Sequence, residues 1–327
     1  MMHKFFLLLS FVTLLSANNR VYTNCEFKNE HYEDICKKSV KNGVTYQYAN
    51  HFILSYFGEN QFDEVSWKFL QPNKIQHHRT QEKKANNVLT TYIPKMLQNL
   101  QEYKEVYDFA EQEFGVNREI ISAILLKETH LDEIQPTHDA FVVFNTIVLR
   151  TDPNSTREKW LLKMGKSNMA SIIQHCYKRD IEPKECQLPS SYAGAVGIPQ
   201  FMPNSFIYAK SFNGEEADLT KMEDAILSVA NFLHEKARYS VPIVWEIMPD
   251  VIQVEKEWYQ YAFKHTNASF IYEKSKSGKD YDCFTKEKPE LEYMKEYMSK
   301  IMRYNNSSNY AVGVISLAYQ AHHKLKD

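Results

Sequence analysis

The carboxylate of Glu128 is the clearest candidate for chemistry because it shares a predicted helix face with apolar residues. Ile121, Ile124 and Leu125 recur at helical spacing, and Glu128 follows them by seven, four and three positions. Burial disfavours the charged form of a carboxyl group and raises its pKa toward neutrality, as a general acid requires. A helix-end glutamate paired with a neighbouring cation such as Lys127 explains the same pattern, so periodicity leaves both interpretations open.

The predicted helices around Glu128 have recognisable ends. Apolar residues recur every three or four positions over 96–110, and Gly115 then supplies a left-handed C-cap. Asn117 is of the type that caps a helix N-terminus. The next helix is therefore predicted over 118–130, with Glu119 on its solvated side.

The rest of the chain is also predicted to be mainly α-helical. Helices are expected over 156–178, over 220–236, where Thr220 and Glu223 have the spacing of a capping box, and over 309–322. Loops are expected over 72–87 and 267–289, a loop leading into a helix over 190–206, and a small β element within 241–272.

Composition excludes several classes of protein. The chain has 327 residues, with 39 Lys and Arg against 41 Asp and Glu, so a net charge of −2 gives no support for nucleic-acid binding. A hydrophobic content of 43% is too high for intrinsic disorder. Nine glycines are too few for glycine-rich nucleotide loops or multi-blade β folds.

The N-terminus has the pattern of a secretory signal peptide over residues 1–17. Lys4 precedes an apolar run, and Ser16 and Ala17 offer a small-residue cleavage site. A membrane anchor is the alternative, but polar residues 18–20 end the run well short of the ~20 apolar residues that span a bilayer. We expect a periplasmic or secreted protein, cleaved near Ala17, without a stable membrane anchor.

The five cysteines fit an oxidising compartment. Cys25 and Cys36 are eleven positions apart, Cys176 and Cys186 are ten apart, and Cys283 stands separately. The simplest pairing is two local disulfides and one thiol, although five unpaired cysteines remain an alternative in a chain of this size.

Histidine and cysteine spacing gives no sign of a metal centre. No Cys-x-x-Cys occurs, and no Cys/His spacing is typical of zinc. The pairs His77-His78 and His322-His323 lie in Lys-rich, polar surroundings, so they are predicted to be solvated.

Three segments resemble a known family. The stretch SYAGAVGIPQFMPNS (191–205) looks like the second motif of the bacterial lytic murein transglycosylases, in particular the membrane-bound lytic transglycosylase B family. GVNREIISAILLKET (115–129) is similar to the first motif of that family, and RYNNSSNYAVGVISLA (303–318) resembles the third. The motifs follow the family order, and the resemblance covers about residues 99–320.

The resemblance implies a lysozyme-like helical core with small additional α and β lobes. It implies that Glu128 is the single catalytic acid/base. The other residues that it places at the substrate are Ser191, Tyr192, Gly194, Gln200, Tyr304, Asn305 and Tyr310. Ser191 matches a serine that helps to hold the substrate or the glutamate, and Gln200 matches a glutamine of the sugar groove. The glycine turns at 194 and 197 would let the backbone approach a sugar closely.

Residue patterns and the resemblance together predict a domain plan and partners. We expect a signal peptide over 1–17, an N-terminal helical and loop extension over 18–95 and, from the resemblance, a catalytic domain over 96–322. The implied partners are peptidoglycan glycan strands, with proteins of cell-wall synthesis or division as further candidates. No cofactor and no nucleic acid are expected.

The chain departs from the family pattern at three places. Lys127 precedes the glutamate where the family commonly has a hydrophobic or small residue, and residues 129–132 replace an aromatic-glycine pair. Members of the family can carry an EF-hand-like loop after the second motif. Residues 211–219 lack its leading Asp, central Gly and terminal Glu in register, so we expect no tight calcium site.

The implied reaction is non-hydrolytic cleavage of the bond between N-acetylmuramic acid and N-acetylglucosamine, leaving a 1,6-anhydromuramoyl end. A lysozyme-type hydrolase is the nearest alternative, with Asp132 or Asp139 as its second carboxylate. A peptidoglycan-binding or scaffold protein without turnover is the alternative from another class.

Overall fold

The computed structural model of the chain describes residues 21–57, 61–214, 216–265 and 278–326. Side chains are described throughout these ranges except at 56, 57, 73 and 75–80. The predicted signal peptide and the His77-His78 side chains therefore lie outside the described part, and both stay predictions.

The described ranges form a mainly α-helical fold, as the sequence predicted. The helices are α1 (Glu30–Lys41), α2 (Tyr46–Phe57), α3 (Glu64–Phe69), α4 (Pro72–Leu89), α5 (Ile93–Glu102), α6 (Lys104–Phe114), α7 (Arg118–Thr129), α8 (Ala140–Arg150), α9 (Thr156–Lys178), α10 (Met222–Ala237), α11 (Val251–Lys264), α12 (Lys279–Thr285), α13 (Glu292–Ile301) and α14 (Ser308–Lys326). Short 3-10 turns lie at Thr90–Tyr92, Pro203–Tyr208, Trp245–Ile247 and Pro289–Leu291. Strands β1 (His138–Asp139) and β2 (Pro189–Ser190) pair antiparallel, with His138 opposite Ser190.

Helix α7 lies at the centre of the larger hydrophobic core. Residues 120–126 of this helix are all fully buried, and α5, α6, α10 and α14 pack around it. A helix that is apolar on all sides has to be surrounded by other elements. Glu128, near the C-terminus of α7, is therefore packed against this core while staying partly exposed.

The prediction that Glu119 lies on a solvated side of α7 is wrong. Glu119 is only 5% exposed, and its Oε1 lies 2.9 Å from Nδ1 of His322 on α14. His322 also packs against the ring of Trp245, so its predicted solvation is wrong as well. A buried carboxylate needs such a partner because an unpaired charge is costly to bury.

A second core joins α1, α2, α8 and α9. The disulfides Cys25–Cys36 and Cys176–Cys186 flank it, as predicted, and Cys283 is free and exposed. Helices on the two sides of residue 95 pack against one another, α1 on α9 and α4 on α14. The boundary at 95 stays a prediction.

The predicted loop over 72–87 is wrong, because these residues form helix α4. Pro72 lies in its first turn, where a missing N–H costs nothing, and the segment contains no glycine. Most of its described side chains are exposed, while Asn86 and Leu89 are buried. A helix that buries so few apolar residues has no apolar period to reveal it in the sequence.

Two predicted caps differ from the structure. Helix α7 does begin after Asn117, but the amide of Asn117 donates to the carbonyl of Ile243 and accepts from the hydroxyl of Tyr239. Helix α10 begins at Met222 without a side-chain cap, since Thr220 donates its hydroxyl to Asp218 instead. The predicted capping box of Thr220 and Glu223 is therefore wrong.

The predicted β element around 241–272 is not found over 241–265, the described part of that region. The described part of this region contains a 3-10 turn and helix α11, and the paired strands are β1 and β2. The predicted loop over 267–289 contains α12 in its described part, while residues 266–277 lie outside the description. The C-terminal helix 309–322 is confirmed and extends further, as α14, and the helix 156–178 is confirmed as α9.

None of the helices in the described ranges has the length and apolar content needed to cross a bilayer.

The C-cap between α6 and α7 gives a test of the fold. Gly115 has φ +68°, and a Cβ there would overlap the carbonyl group of Ser240. We expect Gly115→Ala to lower the free energy of unfolding by about 2–4 kcal/mol, from left-handed strain plus the overlap. Denaturant unfolding monitored by circular dichroism measures this change.

Gly43→Ala is the matched control for this prediction. Gly43 also has a positive φ, but an added Cβ would meet no atom within 4 Å. It should cost only the backbone strain, about 1 kcal/mol. Equal losses in the two variants would contradict the packing described around Gly115.

Candidate active site

Glu128 stands at the end of α7, where the chain turns sharply. His130, Leu131 and Asp132 all have positive φ, so the backbone reverses directly after the helix. Glu128 itself lines a cavity of about 720 Å³.

Four of the predicted site residues line this cavity together. They are Glu128, Tyr192, Asn305 and Tyr310. The other wall is helix α4, which contributes Gln81, Glu82, Lys84, Ala85, Val88 and Leu89, while Lys127 and His130 flank Glu128. The cavity is thus formed by all three segments that carry the resemblance and by α4, which was predicted to be a loop.

The Glu128 carboxyl has one strong hydrogen bond in this cavity. The hydroxyl of Tyr310, on α14, donates to Oε1 of Glu128 over 2.6 Å. Tyr310 is buried, so this donor is held in place by the core around α14. Its burial and the nearby Glu128 raise the pKa of the Tyr310 hydroxyl, which therefore stays a donor.

Burial sets the protonation of Glu128. It raises the pKa of the carboxyl to about 7, with a smaller upward contribution from the charge of Glu82. The hydrogen bond from Tyr310 and the charge of Lys127 act in the opposite direction. A group with this pKa gives up and takes back a proton near neutral pH, which suits a general acid/base.

Gln200 and Gly197 line a neighbouring cavity of about 680 Å³ rather than the one above Glu128. The side-chain amide of Gln200 donates to the carbonyl of Gly197 over 2.9 Å, and Gln200 has φ +50°. Thr129, next to Glu128, lines the same cavity. The two cavities therefore flank the end of α7.

Ser191 and Gly194 lie in the loop that follows β2. The hydroxyl of Ser191 accepts from the N–H of Ala195, and the N–H of Gly194 donates to the Ser191 carbonyl over 2.8 Å. Gly194 has φ +79°, and a Cβ there would lie 2.5 Å from the ring of Phe144. Protein packing accounts for this glycine, and the roles of Ser191 and Gly194 at a sugar stay predictions.

The three predicted residues of the third motif have different surroundings. Tyr310 bonds to Glu128, and Asn305 is exposed at the cavity. Tyr304 donates its hydroxyl to the carbonyl of Pro199 and packs its ring against Phe232, with ring centres 4.9 Å apart. Tyr304 therefore fixes the second motif against the third.

Asp132 and Asp139, the candidates for the second carboxylate of a hydrolase, do not line the cavity of Glu128. Asp139 caps α8 by accepting from the N–H of Val142 over 3.0 Å, and it also accepts from the N–H of Leu188. Asp132 lines the 680 Å³ cavity, and burial raises the pKa of its carboxyl. Neither is among the residues around the cavity of Glu128.

Sequence reasoning missed the contribution of α4. Glu82 Oε1 lies 3.6 Å from Nζ of Lys127, and Glu82 Oε2 accepts from the hydroxyl of Ser307 over 3.2 Å. The one sequence feature that could have indicated this contribution is Lys127, because a lysine buried beside Glu128 needs an acidic partner elsewhere in the chain.

The carboxylates of the segment 211–219 have protein partners. Asp218 accepts from the N–H and from the hydroxyl of Thr220, and Glu216 pairs with Arg179 at 2.9 Å. Glu215 lies outside the described residues. These donor sets do not fit a calcium ion, which takes six to eight oxygens, and the absence of a tight site stays a prediction.

A family model described as "Transglycosylase SLT domain" matches residues 28–319. The chain belongs to the transglycosylase SLT domain family. As a member of this family it is an enzyme, a lytic murein transglycosylase, and the predicted family is confirmed. No curated protein matches the chain.

Solved structures show the same fold. The soluble lytic transglycosylase SltB1 of Pseudomonas aeruginosa has a TM-score of 0.58 at 16% identity, covering 91% of this chain and 100% of that one. Slt35 of Escherichia coli, in complex with calcium, has a TM-score of 0.51 at 17% identity, covering 92% and 95%. SltB3 of P. aeruginosa, in complex with NAG-anhNAM-pentapeptide, has a TM-score of 0.51 at 15% identity, covering 88% and 78%. The lysozyme-like helical fold is therefore confirmed for this member of the SLT family.

The raised pKa of Glu128 predicts a pH-dependent gain in stability on its removal. The native state keeps the proton up to about pH 7, whereas the unfolded chain loses it near its ordinary pKa of ~4.3. Glutamate therefore destabilises the native state increasingly between these values, and fully above them. We expect Glu128→Gln to melt at a higher temperature than wild type at about pH 8, with the gain vanishing toward about pH 4.

Thermal unfolding across this pH range, for wild type and Glu128→Gln, measures the effect. Glu105→Gln, at an exposed glutamate in the first turn of α6, reports what a surface substitution does. A difference between Glu128→Gln and wild type that is the same at every pH would contradict the burial of an ionisable carboxyl.

Proposed function

We propose that this transglycosylase cleaves the β-1,4 bond between N-acetylmuramic acid and N-acetylglucosamine in peptidoglycan without using water, with Glu128 as its single general acid/base. The observation that carries the proposal is the carboxyl of Glu128, which faces a cavity, has a pKa of about 7 and accepts a hydrogen bond from Tyr310. Such a group can serve as acid and then as base within one turnover.

In the first step, protonated Glu128 donates its proton to the glycosidic oxygen. The bond from this oxygen to the muramoyl anomeric carbon breaks, and its electron pair leaves with the oxygen as the N-acetylglucosamine hydroxyl. An oxocarbenium-like centre forms on the muramoyl ring. The Tyr310 hydroxyl then stabilises the new carboxylate, because a hydrogen bond to the charged form favours it.

In the second step, the Glu128 carboxylate removes the proton from the C6 hydroxyl of the same muramoyl ring. The C6 oxygen bonds to the anomeric carbon and closes the 1,6-anhydro ring. Glu128 is protonated again, so atoms and charge balance without a water molecule or a cofactor.

A glycoside hydrolase usually has a second carboxylate, either as a base that activates water or as the nucleophile. Asp139 is occupied as a helix cap, and Asp132 lines the neighbouring cavity. Glu82 does line the cavity of Glu128, but it is paired with Lys127 and hydrogen-bonded to Ser307. Among these three carboxylates, Glu82 is the one whose position favours the hydrolytic alternative.

The ligand of a structural neighbour supports the proposed substrate. SltB3 was solved with NAG-anhNAM-pentapeptide and with NAG-NAM-pentapeptide. A peptidoglycan glycan strand is therefore the proposed substrate here. Action on the cell wall also fits export near Ala17, and the two disulfides fit the oxidising compartment outside the cytoplasm. Partners among cell-wall synthesis or division proteins stay predictions.

Digestion of purified murein sacculi tests the reaction. Wild type should release muropeptides with 1,6-anhydro ends, whereas hydrolysis would give reducing ends heavier by the mass of one water. Glu128→Gln should lower the release by at least about 100-fold while keeping sacculus binding, because it removes the proton donor and little volume. Mass spectrometry of the released fragments and a sacculus pull-down give the two readouts.

Asp132→Asn and Glu82→Gln distinguish the alternatives in the same assay. Under the proposal both variants still form anhydro ends. Reducing ends in wild type, lost on either substitution, would identify a hydrolase and its second carboxylate. Binding without any release by wild type would favour the peptidoglycan-binding or scaffold alternative.

A further inference from the structure

Lys127 is the least expected charge at the site. Its side chain is only 4% exposed, although it directly precedes Glu128 in a helix whose neighbouring residues are apolar. Burying an ammonium costs several kcal/mol unless partners compensate it. Burial accordingly lowers the pKa of Lys127. A buried lysine at this position therefore has to be held by a specific set of contacts.

Two of the partners of Lys127 come from α4. Its Nζ lies 3.6 Å from Oε1 of Glu82 and donates a hydrogen bond to Oδ1 of Asn86. Glu82 and Asn86 are one helical turn apart, so they present one face of α4 to Lys127. These contacts hold the α4 wall of the cavity to the end of α7.

The third partner is the residue that bonds to Glu128. Nζ of Lys127 lies 5.0 Å from the centre of the Tyr310 ring, a cation–π distance. The hydroxyl of the same ring donates to Glu128. Lys127 therefore contacts the ring of Tyr310, the donor, and directly precedes Glu128, the acceptor, in the chain.

The same face of α4 is also tied to α14. Glu82 accepts from the hydroxyl of Ser307, and this hydroxyl accepts in turn from the N–H of Tyr310 over 3.3 Å. The amide of Asn86 donates to the carbonyl of Asn309 over 3.3 Å. Gly313 has no side chain in the place where Asn86 packs against α14. Lys127 thus stands where α4, α7 and α14 meet.

We propose that Lys127 is a positioning residue of the reaction, holding the α4 wall through Glu82 and Asn86 and holding Tyr310 so that its hydroxyl meets Glu128. The proposal rests on the proposed function of Glu128. It explains why a charge occupies a place where the resembled family commonly has a hydrophobic or small residue.

The proposal has a consequence for pH dependence because Lys127 and Glu82 carry opposite charges. Lys127 lowers the pKa of Glu128 and Glu82 raises it. The other titratable groups around them are Lys83 and Lys84 on α4, His130 after α7, Glu255 and Tyr259 on α11, and Tyr304 and Tyr310. All of these side chains are retained in both variants, although Lys127 also lowers the pKa of the Glu255 carboxyl and Glu82 also raises the pKa of the Tyr259 hydroxyl. We therefore expect the two substitutions to move the pKa of Glu128 in opposite directions.

The test compares Lys127→Met with Glu82→Gln in sacculus digestion across pH. Activity requires protonated Glu128, so it falls as pH rises through the pKa of that group. Lys127→Met should move this alkaline limb to higher pH, and Glu82→Gln should move it to lower pH. Lys127→Met should also lower kcat by about tenfold or more with little change in KM, since Tyr310 loses a fixed position. Lys127→Arg, which keeps the charge, should restore part of both effects.

Controls separate this network from folding and from the proposed function. Lys163→Met, at an exposed lysine of α9, reports the effect of the same substitution on the surface. Replacing a buried ion by methionine is often tolerated, and if Lys127→Met does not fold, Glu82→Gln and Lys127→Arg decide. A carbon-13 NMR titration of the Glu128 carboxyl needs no turnover, so it reports the two opposite pKa shifts even if wild type releases no fragments.

Opposite shifts of the Glu128 pKa and a loss of kcat in Lys127→Met support the proposal. A Glu128 pKa that stays at the wild-type value in both variants, or moves in the same direction in both, would overturn it. So would a Lys127→Met enzyme with wild-type kcat. Absence of anhydro ends in wild type would count against the proposed function and would leave the NMR result to decide the network.

Discussion

The burial of one ionisable carboxyl is the constraint on which the rest of the site depends. Glu128 ends a helix whose residues 120–126 are fully buried, and the hydroxyl of Tyr310 is held 2.6 Å from its oxygen. Burial pushes the pKa of the carboxyl up to about 7, while Tyr310 and Lys127 oppose that shift. The charged form of Glu128 therefore destabilises the native state, and the same burial gives the carboxyl a pKa at which it can exchange a proton near neutral pH.

Helix α4 shows how polar contacts can build the wall of a site. It buries few apolar side chains, yet Glu82 and Asn86 connect it to Lys127 on α7 and to the start of α14. Such contacts are specific in geometry because each buried polar group must find its partner. The cavity above Glu128 therefore depends on charges and amides at its α4 side and on apolar packing at its α7 side.

Local patterns in the sequence predicted several residues of the candidate site, but they could not predict contacts between residues that are far apart in the chain. The apolar period identified α7 and Glu128, and the motif near residue 310 identified Tyr310. Helix α4 was missed because an exposed helix carries no apolar period. Glu119 was misplaced because its partner, His322, is 203 positions away in the chain. The amide of Asn117 likewise pairs with Tyr239 and Ile243 instead of capping its own helix.

We propose that the nucleophile comes from the substrate rather than from water, because Glu82, the other carboxyl that lines this cavity, is paired with Lys127. Digestion of sacculi in water labelled with oxygen-18 tests this claim most directly. The account predicts that the new 1,6-anhydromuramoyl ends contain no label, because the C6 oxygen of the sugar closes the ring. Label at every new end, on the anomeric carbon, would show that water is the nucleophile and would contradict the account.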